Sequence, residues 1–266
     1  MKISMNHEYD KLVSCIMVYP SNIQAPNYTT LIDKQIVYNQ YNDFVRILFD
    51  NGIEISFLES NGSSSQVFTR DIGFIIDDIL FISNMTQPER QTEIERLIDL
   101  VKIHTLKSHI MKNKAEGGDI MVHHNKVFIG VGNRTNLQAV EEIRHVLSLN
   151  NKQYELITVL FDASKIHLDC VFNILDQHTC ILSEEVFNRK NILKHFENFM
   201  EVSMKEQESL ATNIVDLGNN IILCSSKNFS KKLHDQGYQS IYINLSEIIK
   251  AKGSLGCCLM PLLRKS

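Results

Sequence analysis

Near the carboxyl end, two glycines bracket a Ser-Leu pair ahead of a cysteine, in Gly253-Ser254-Leu255-Gly256-Cys257-Cys258-Leu259-Met260-Pro261. Glycines so placed suit a backbone held close to another group, which makes Cys257 the candidate nucleophile. A free cysteine is more often a small buried apolar residue, and Cys257 and Cys258 alone would be read that way. Three earlier stretches change the reading: Phe68-Thr69-Arg70-Asp71, Glu116-Gly117-Gly118-Asp119 and His167-Leu168-Asp169. A thiolate attacks only once its proton is gone, and a nearby cation, either a bound substrate or a protonated imidazole, lowers its pKa. His167 titrates near neutrality, so it can hand a proton to a leaving group and take one from water. Glu116, accepting from the imidazole, would orient the ring. Asp71 and Asp169 repel each other in one site unless a cation lies between them, and a planar guanidinium satisfies both with paired hydrogen bonds. The chemistry implied is displacement at a guanidinium carbon.

Each motif has its own structural reading. Glu116 to Asp119 could be a turn before a strand, and Arg70-Asp71 an ion pair at a surface strand end. In His167-Leu168-Asp169, strand alternation would put the His and Asp on one face. His123-His124, adjacent in a hairpin turn, are expected to point to opposite faces and be solvated rather than act as ligands. No metal and no organic cofactor is expected.

The rest of the chain must position these groups. Its composition is that of an ordinary globular protein, with 44% hydrophobic and 22% charged residues. A formal net charge of -4 offers no basic excess for nucleic acid. No apolar run approaches the roughly 20 residues of a membrane span, and the N-terminal residues lack the apolar run of a secretory signal, so the expectation is a cytoplasmic protein. The six cysteines form no Cys-x-x-Cys pair and are expected to be thiols.

Strand signals run from Lys11 to Tyr19 and from Ile53 to Leu58. Between them lie a polar loop from Pro20 to Thr30 and a helical apolar period from Leu31 to Asp50, stopped by Asn51-Gly52. Paired apolar runs then recur at Gly73–Ser83, Asp119–Gly130, Val171–Leu182 and Asn213–Ser225. They are split by turns at Asp77-Asp78, His124-Asn125, Asp176-Gln177 and Gly218-Asn219-Asn220. The turns lie about 40 to 50 residues apart, within the range of propeller or solenoid repeats. Helical periods follow at Pro88–His104, Leu137–Leu149, Asn188–Met200 and Ser230–Gln236, with short strand signals at Tyr154–Leu160 and Ser240–Asn244. The N-terminal strand–helix–strand and the Cys257 segment together make a fifth, split unit. The expectation is one domain, residues 1–266, of α/β class: a ring of five strand-strand-helix-strand units whose strand ends converge on a centre. An irregular α+β sandwich is the competing fold.

These motifs, in order and spacing, resemble the guanidino-group-modifying superfamily of arginine deiminases, dimethylarginine dimethylaminohydrolases and amidinotransferases. That resemblance implies the five-bladed α/β propeller (pentein) fold, with Cys257 as nucleophile, His167 as acid–base, Glu116 as its partner, and Asp71 and Asp169 as guanidinium clamps. Gly130-Val131-Gly132-Asn133-Arg134-Thr135 is similar to the family loop whose Arg holds a substrate carboxylate, and Arg90 is similar to a second such Arg. Asp169 and the Arg70-Asp71 pair resemble the deiminase pattern and favour an unmethylated guanidine. The chain length is closer to the dimethylarginine enzymes, and Ser65 stands where deiminases usually have Asn. The implied activity is hydrolysis of arginine or a close derivative through an S-alkylthiouronium, giving citrulline and ammonia or an amine. An amidinotransferase or a dimethylarginine hydrolase is the alternative, and a non-catalytic binding module is a third reading. The partner is a small guanidino substrate, with no nucleic acid and no membrane, and a homodimer stays open.

Overall fold

Each paired apolar run folds into a hairpin, and each hairpin gains a third strand by way of a helix. The structure, a computed structural model, describes residues 1–27 and 29–266, and these form five three-stranded sheets. Tyr28, within the loop read from Pro20 to Thr30, lies outside the described residues. The first unit holds β1 (Lys11–Val18), α1 (Lys34–Asp50) and β2 (Glu54–Leu58). The second holds β3 (Gly73–Ile76), β4 (Ile79–Ile82), α2 (Glu95–His104) and β5 (Ser108–Ile110). The third holds β6 (Ile120–His123), β7 (Lys126–Val131), α3 (Leu137–Leu149) and β8 (Glu155–Leu160). The fourth holds β9 (Phe172–Ile174), β10 (Thr179–Ser183), α4 (Arg189–Leu193) and β11 (Asn198–Val202). After the short α5 (Met204–Gln207) come β12 (Val215–Gly218), β13 (Ile221–Cys224), α6 (Lys227–Asp235) and β14 (Gln239–Tyr242), then α7 (Ser246–Ile249) and β15 (Met260–Lys265).

In the second to fifth units the first two strands are antiparallel and the third runs parallel to the middle one. A parallel neighbour needs a crossover, which the helix supplies. In the first sheet β15 is antiparallel to β1 and β2 is parallel to it, so the end of the chain fills the first-strand place of the first unit. The split unit expected from the two ends of the chain is therefore the first sheet.

Three of the four predicted turns carry left-handed residues at their tips: Asp77 (φ 57°), His124 (φ 52°), and Asn219 and Asn220 (φ 53° and 67°). Two-residue hairpin turns that match strand twist require that conformation. Helix α1 starts at Lys34, later than predicted, because the Asp33 carboxylate caps the N–H groups of Gln35 and Ile36. It buries Val37, Tyr41, Phe44 and Leu48, each worth about 1.5–3 kcal/mol in transfer from water. The predicted helix Pro88–His104 opens as a 3-10 turn, Pro88–Ile94, before becoming α2. The predicted helix Asn188–Met200 is incorrect. Only Arg189–Leu193 is helical, because Asn198–Val202 is needed as the third strand and pairs with β10. Helix α6 begins at Lys227, earlier than read, where the Ser226 hydroxyl accepts from Phe229 N–H.

The expectation for His123-His124 holds for the exposure of His124 but fails for His123 and for their facing. The left-handed backbone at His124 breaks strand alternation, so the two rings lie on one side with centroids 4.5 Å apart, and His123 is only 3% exposed.

Short 3-10 turns immediately precede β3 (Thr69–Ile72), β6 (Gly117–Asp119) and β9 (Leu168–Cys170), and they pack against one another. Their backbones nearly touch. A Cβ on Gly117 would lie 2.1 Å from the Arg70 carbonyl oxygen, and one on Gly118 2.8 Å from the His167 ring. The paired glycines of Glu-Gly-Gly-Asp are thus a steric requirement of the centre rather than a mark of turn conformation. Arg70 does not pair with Asp71. Its guanidinium bonds Glu8 at 3.1 Å and the carbonyls of Gly117 and Ile120, clamping two turns together. No helix among the described residues is long and apolar enough to cross a membrane.

Gly117→Ala is expected to destabilise the fold by at least about 2 kcal/mol, because backbone must move to admit one methyl group. Gly132→Ala would meet only the Phe161 ring, at 3.5 Å, and is expected to cost under about 1 kcal/mol. Urea unfolding of both variants measures the difference.

Candidate active site

Cys257 lies in the turn that leads into β15, and its backbone is held from both sides. Its N–H donates to Asn213 Oδ1 at 3.0 Å, and its carbonyl accepts from the Arg70 N–H at 3.0 Å. The thiol is 3.8 Å from Asp169 Oδ2. Gly256 permits this approach, since a Cβ there would lie 3.0 Å from the Ile214 carbonyl oxygen. Cys258 is fully buried in the apolar cluster with Tyr41, Phe44 and Cys15. Both cysteines lie in the turn ahead of β15 rather than in the strand itself.

His167 occupies the position just before the 3-10 turn Leu168–Cys170, so it and Asp169 reach the centre from a tight turn and not from one face of a strand. Its Nε2 lies 2.8 Å from Glu116 Oε2, and its Nδ1 lies 3.5 Å from Asp71 Oδ1. Glu116 also accepts from the Thr86 N–H at 2.9 Å and from Arg134 at 3.1 Å. Asp71 Oδ2 accepts from Arg90 at 2.8 Å, and Arg90 in turn donates twice to Glu93 Oε2. Asp71 Oδ1 is buried and has no hydrogen-bond partner among the described residues.

The electrostatics follow from burial. Desolvation pulls His167 down, but Asp71, Glu116 and Asp119 together outweigh it and raise its pKa to about 10, so the ring is an imidazolium at neutral pH. Burial pushes Glu116 up, yet its bond to His167 and the nearby arginines bring it down to about 2. Asp169 is raised to about 6 and Asp119 to about 7, chiefly by desolvation. Burial, followed by the acids at Asp169 and Asp71, holds the Cys257 thiol well above its ordinary range. In this site the carboxyl groups outnumber the cations that neutralise them.

Cys257, His167, Glu116, Asp71 and Asp169 are therefore gathered in one buried centre. Arg90 and Arg134, expected as anchors for a substrate carboxylate, bond the acids of that centre instead. Arg90 is buried between Asp71 and Glu93, whereas Arg134 keeps 13% of its side chain exposed. Sequence reasoning missed Asn213, Glu93, Glu8, Asp119 and Thr135. Asp119 accepts from the Leu168 N–H at 2.9 Å and the Thr135 hydroxyl at 2.6 Å, joining the Glu116 turn, the His167 turn and the Arg134 loop. The available signal was its place in Glu-Gly-Gly-Asp, together with the Thr next to Arg134. Asn213 carried a positional signal, since it precedes β12 as Asp71 precedes β3. One nitrogen or oxygen from each of Asp71, Glu116 and His167 lie within 4.8 Å of one another, but a metal there would compete with Arg90 and Arg134 for the same carboxylates.

The five three-stranded sheets and the family match together place the chain among the guanidino-group-modifying enzymes. Residues 21–264 match the family model described as N,N dimethylarginine dimethylhydrolase, eukaryotic, and the chain belongs to that family. An uncharacterized protein, YkgA of Bacillus subtilis, is 32% identical over 85% of this chain and 80% of its own length. The N(G),N(G)-dimethylarginine dimethylaminohydrolase of Mycobacterium tuberculosis is 26% identical over 88% of this chain and 78% of its own. The N-terminal domain of ArgZ with bound product, described as an arginine dihydrolase of the ornithine-ammonia cycle in cyanobacteria, shares the fold. Its TM-score is 0.85 at 18% identity, covering 96% of this chain and 98% of that one.

The raised pKa of His167 makes a prediction about stability. A group whose pKa is higher in the folded protein stabilises fully below its unfolded value, about 6.5, and loses that contribution as pH rises through about 10. The stability difference between wild type and His167→Gln is therefore expected to be largest below about pH 6.5 and to shrink towards pH 10. Chemical denaturation across that range measures it, and a constant difference would contradict the assigned charge.

Proposed function

We propose that the protein is a cysteine-dependent hydrolase of the guanidino group of arginine or a close derivative, yielding the ureido product, citrulline from arginine, and ammonia or an amine. The observation that carries this reading is the orphaned Asp71 Oδ1, a buried acceptor beside an imidazolium, together with a second buried carboxyl, Asp169, whose hydrogen-bond donors are the thiols of Cys170 and Cys257 rather than a cation. A guanidinium N–H supplies the missing donor, and its positive charge favours ionised Asp169.

The reaction follows in two covalent steps. The cationic substrate lowers the Cys257 pKa, and the thiolate attacks the guanidinium carbon between Asp71 and Asp169. His167, an imidazolium oriented by Glu116, protonates the departing nitrogen, which leaves as ammonia or an amine. The resulting S-alkylthiouronium is attacked by water, whose proton His167 now accepts as a neutral base. Collapse expels the thiolate and releases the ureido product. Arg134, partly exposed at the edge of the centre, is suited to a carboxylate at the far end of the substrate. For Arg90 to share that role its guanidinium must turn from Asp71, and in the meantime it positions Asp71 for the substrate.

The family match favours dimethylarginine as a second substrate, with dimethylamine leaving. An amidinotransferase would use the same thiolate but expel the substrate's alkylamine instead of ammonia, leaving an unsubstituted amidino group on Cys257 that an amine attacks in place of water. One set of assays separates the three. Arginine and N,N-dimethylarginine are each incubated with and without glycine, and ureido product, ammonia, dimethylamine and new guanidino compound are quantified. Ureido product with ammonia from arginine, unaffected by glycine, is the expected result. A new guanidino compound at the expense of ureido product would overturn the hydrolase reading.

Cys257→Ser is expected to lower kcat at least about 10³-fold, while Cys258→Ser keeps most of the activity. Acid quenching during turnover is expected to add the mass of the substrate less its departing ammonia or amine to the peptide containing Cys257. A Cys257→Ser enzyme of unchanged rate would exclude the covalent route.

A further inference from the structure

Away from the centre, the N-terminal segment and the β6–β7 turn bring together three histidines that the reaction does not use. His7 forms an isolated antiparallel bridge with His123, and the His124 N–H donates to His7 Nδ1 at 3.0 Å. Each of His7, His123 and His124 offers one ring nitrogen, and all three nitrogens lie within 4.8 Å of one another. The Tyr9 hydroxyl sits among them, 3.2 Å from His7 Nδ1 and 3.3 Å from His124 Nε2. His123 is buried, and its Nδ1 has no hydrogen-bond partner among the described residues. β6 separates this cluster from the Asp119 turn by about 13 Å of strand.

We propose that His7, His123 and His124 form a binding site for a divalent transition metal, of the zinc, copper or nickel class, independent of the Cys257 centre. Imidazole nitrogen is the donor such ions prefer, and three imidazoles with no carboxylate among them disfavour magnesium and calcium. Zinc–nitrogen bonds of about 2.0–2.1 Å place ligand nitrogens roughly 3.3 Å apart. The three nitrogens, within 4.8 Å of one another, need only close to that spacing, which rotation of the exposed His124 ring and the half-buried His7 ring permits. Burial lowers the pKa of all three rings, and neighbouring imidazoles lower His123 and His124 further, which favours the neutral form that ligation needs. The open side leaves a fourth position for water or the Tyr9 hydroxyl.

The consequence is structural. The N-terminal segment also bridges the β3–β4 turn at Met5–Asp77 and β15 at Ser4–Leu263, and Glu8 holds Arg70. A metal at His7 would fasten that strap to the third sheet and raise the melting temperature.

Cobalt(II) and zinc(II) titrations of the metal-free full-length protein test this, read by the visible Co(II) spectrum and by calorimetry. Binding of one ion is expected in wild type and in Cys257→Ser, with affinity at least about ten-fold weaker in His7→Gln and in His124→Asn. Asn tolerates the left-handed backbone at 124, so that variant should stay folded, which circular dichroism checks. Failure of wild type to bind, binding unaffected by either histidine change, or binding abolished by Cys257→Ser would each overturn the proposal.

Discussion

The structure depends on a cluster of charges that cannot be separated from one another inside a dry protein centre. Asp71, Glu93 and Glu116 are matched by Arg90, Arg134 and His167, all of them in direct contact with an opposite charge. An isolated ion at such burial would be prohibitively costly, so removing any one partner leaves another stranded. Asp119 and Asp169 stand outside this matching, and both are held above the ordinary carboxyl range. The centre is therefore poised to accept a further cation. A flat cation with several N–H donors meets both needs, satisfying the orphaned oxygen of Asp71 and the charge deficit near Asp169.

The scaffold supplies these groups by repetition. Asp71, Glu116, His167, Asn213 and Cys257 each lie just ahead of the first strand of a sheet, before β3, β6, β9, β12 and β15 respectively. One topological position, used five times, directs five different side chains inward. Because β15 closes the first sheet against β1, Cys257 reaches its place only when the two ends of the chain have met. The stability of that sheet and the delivery of Cys257 are therefore one event.

Family membership and local chemistry bear on the substrate from different sides. The family model describes a dimethylarginine enzyme, whereas in the proposed binding mode Asp169 beside the Cys257 thiol would face a dimethylated nitrogen that has no proton to give. An acceptor next to a methyl group would be buried without a partner, and that penalty discriminates more strongly than a difference in volume. This is the physical ground for placing arginine ahead of its dimethylated form.

Much of this was readable from residue order, because repetition and motif are local properties. Paired apolar runs with polar turns marked the hairpins, and Cys257, His167, Glu116, Asp71 and Asp169 stood out by chemical type. Single-residue backbone conformation and long-range pairing were not readable. The left-handed turn at His124 reversed the expected facing of two imidazoles, the demand for a third strand at Asn198–Val202 cut short the helical period read over Asn188–Met200, and Arg70 chose Glu8 over its neighbour Asp71. Asn213 and Glu93 acquire meaning only from what packs beside them. The sequence by itself determined which functional groups exist and how the units repeat; tertiary structure alone decided their partners, because ionisation and hydrogen bonding depend on distances between residues far apart in the chain.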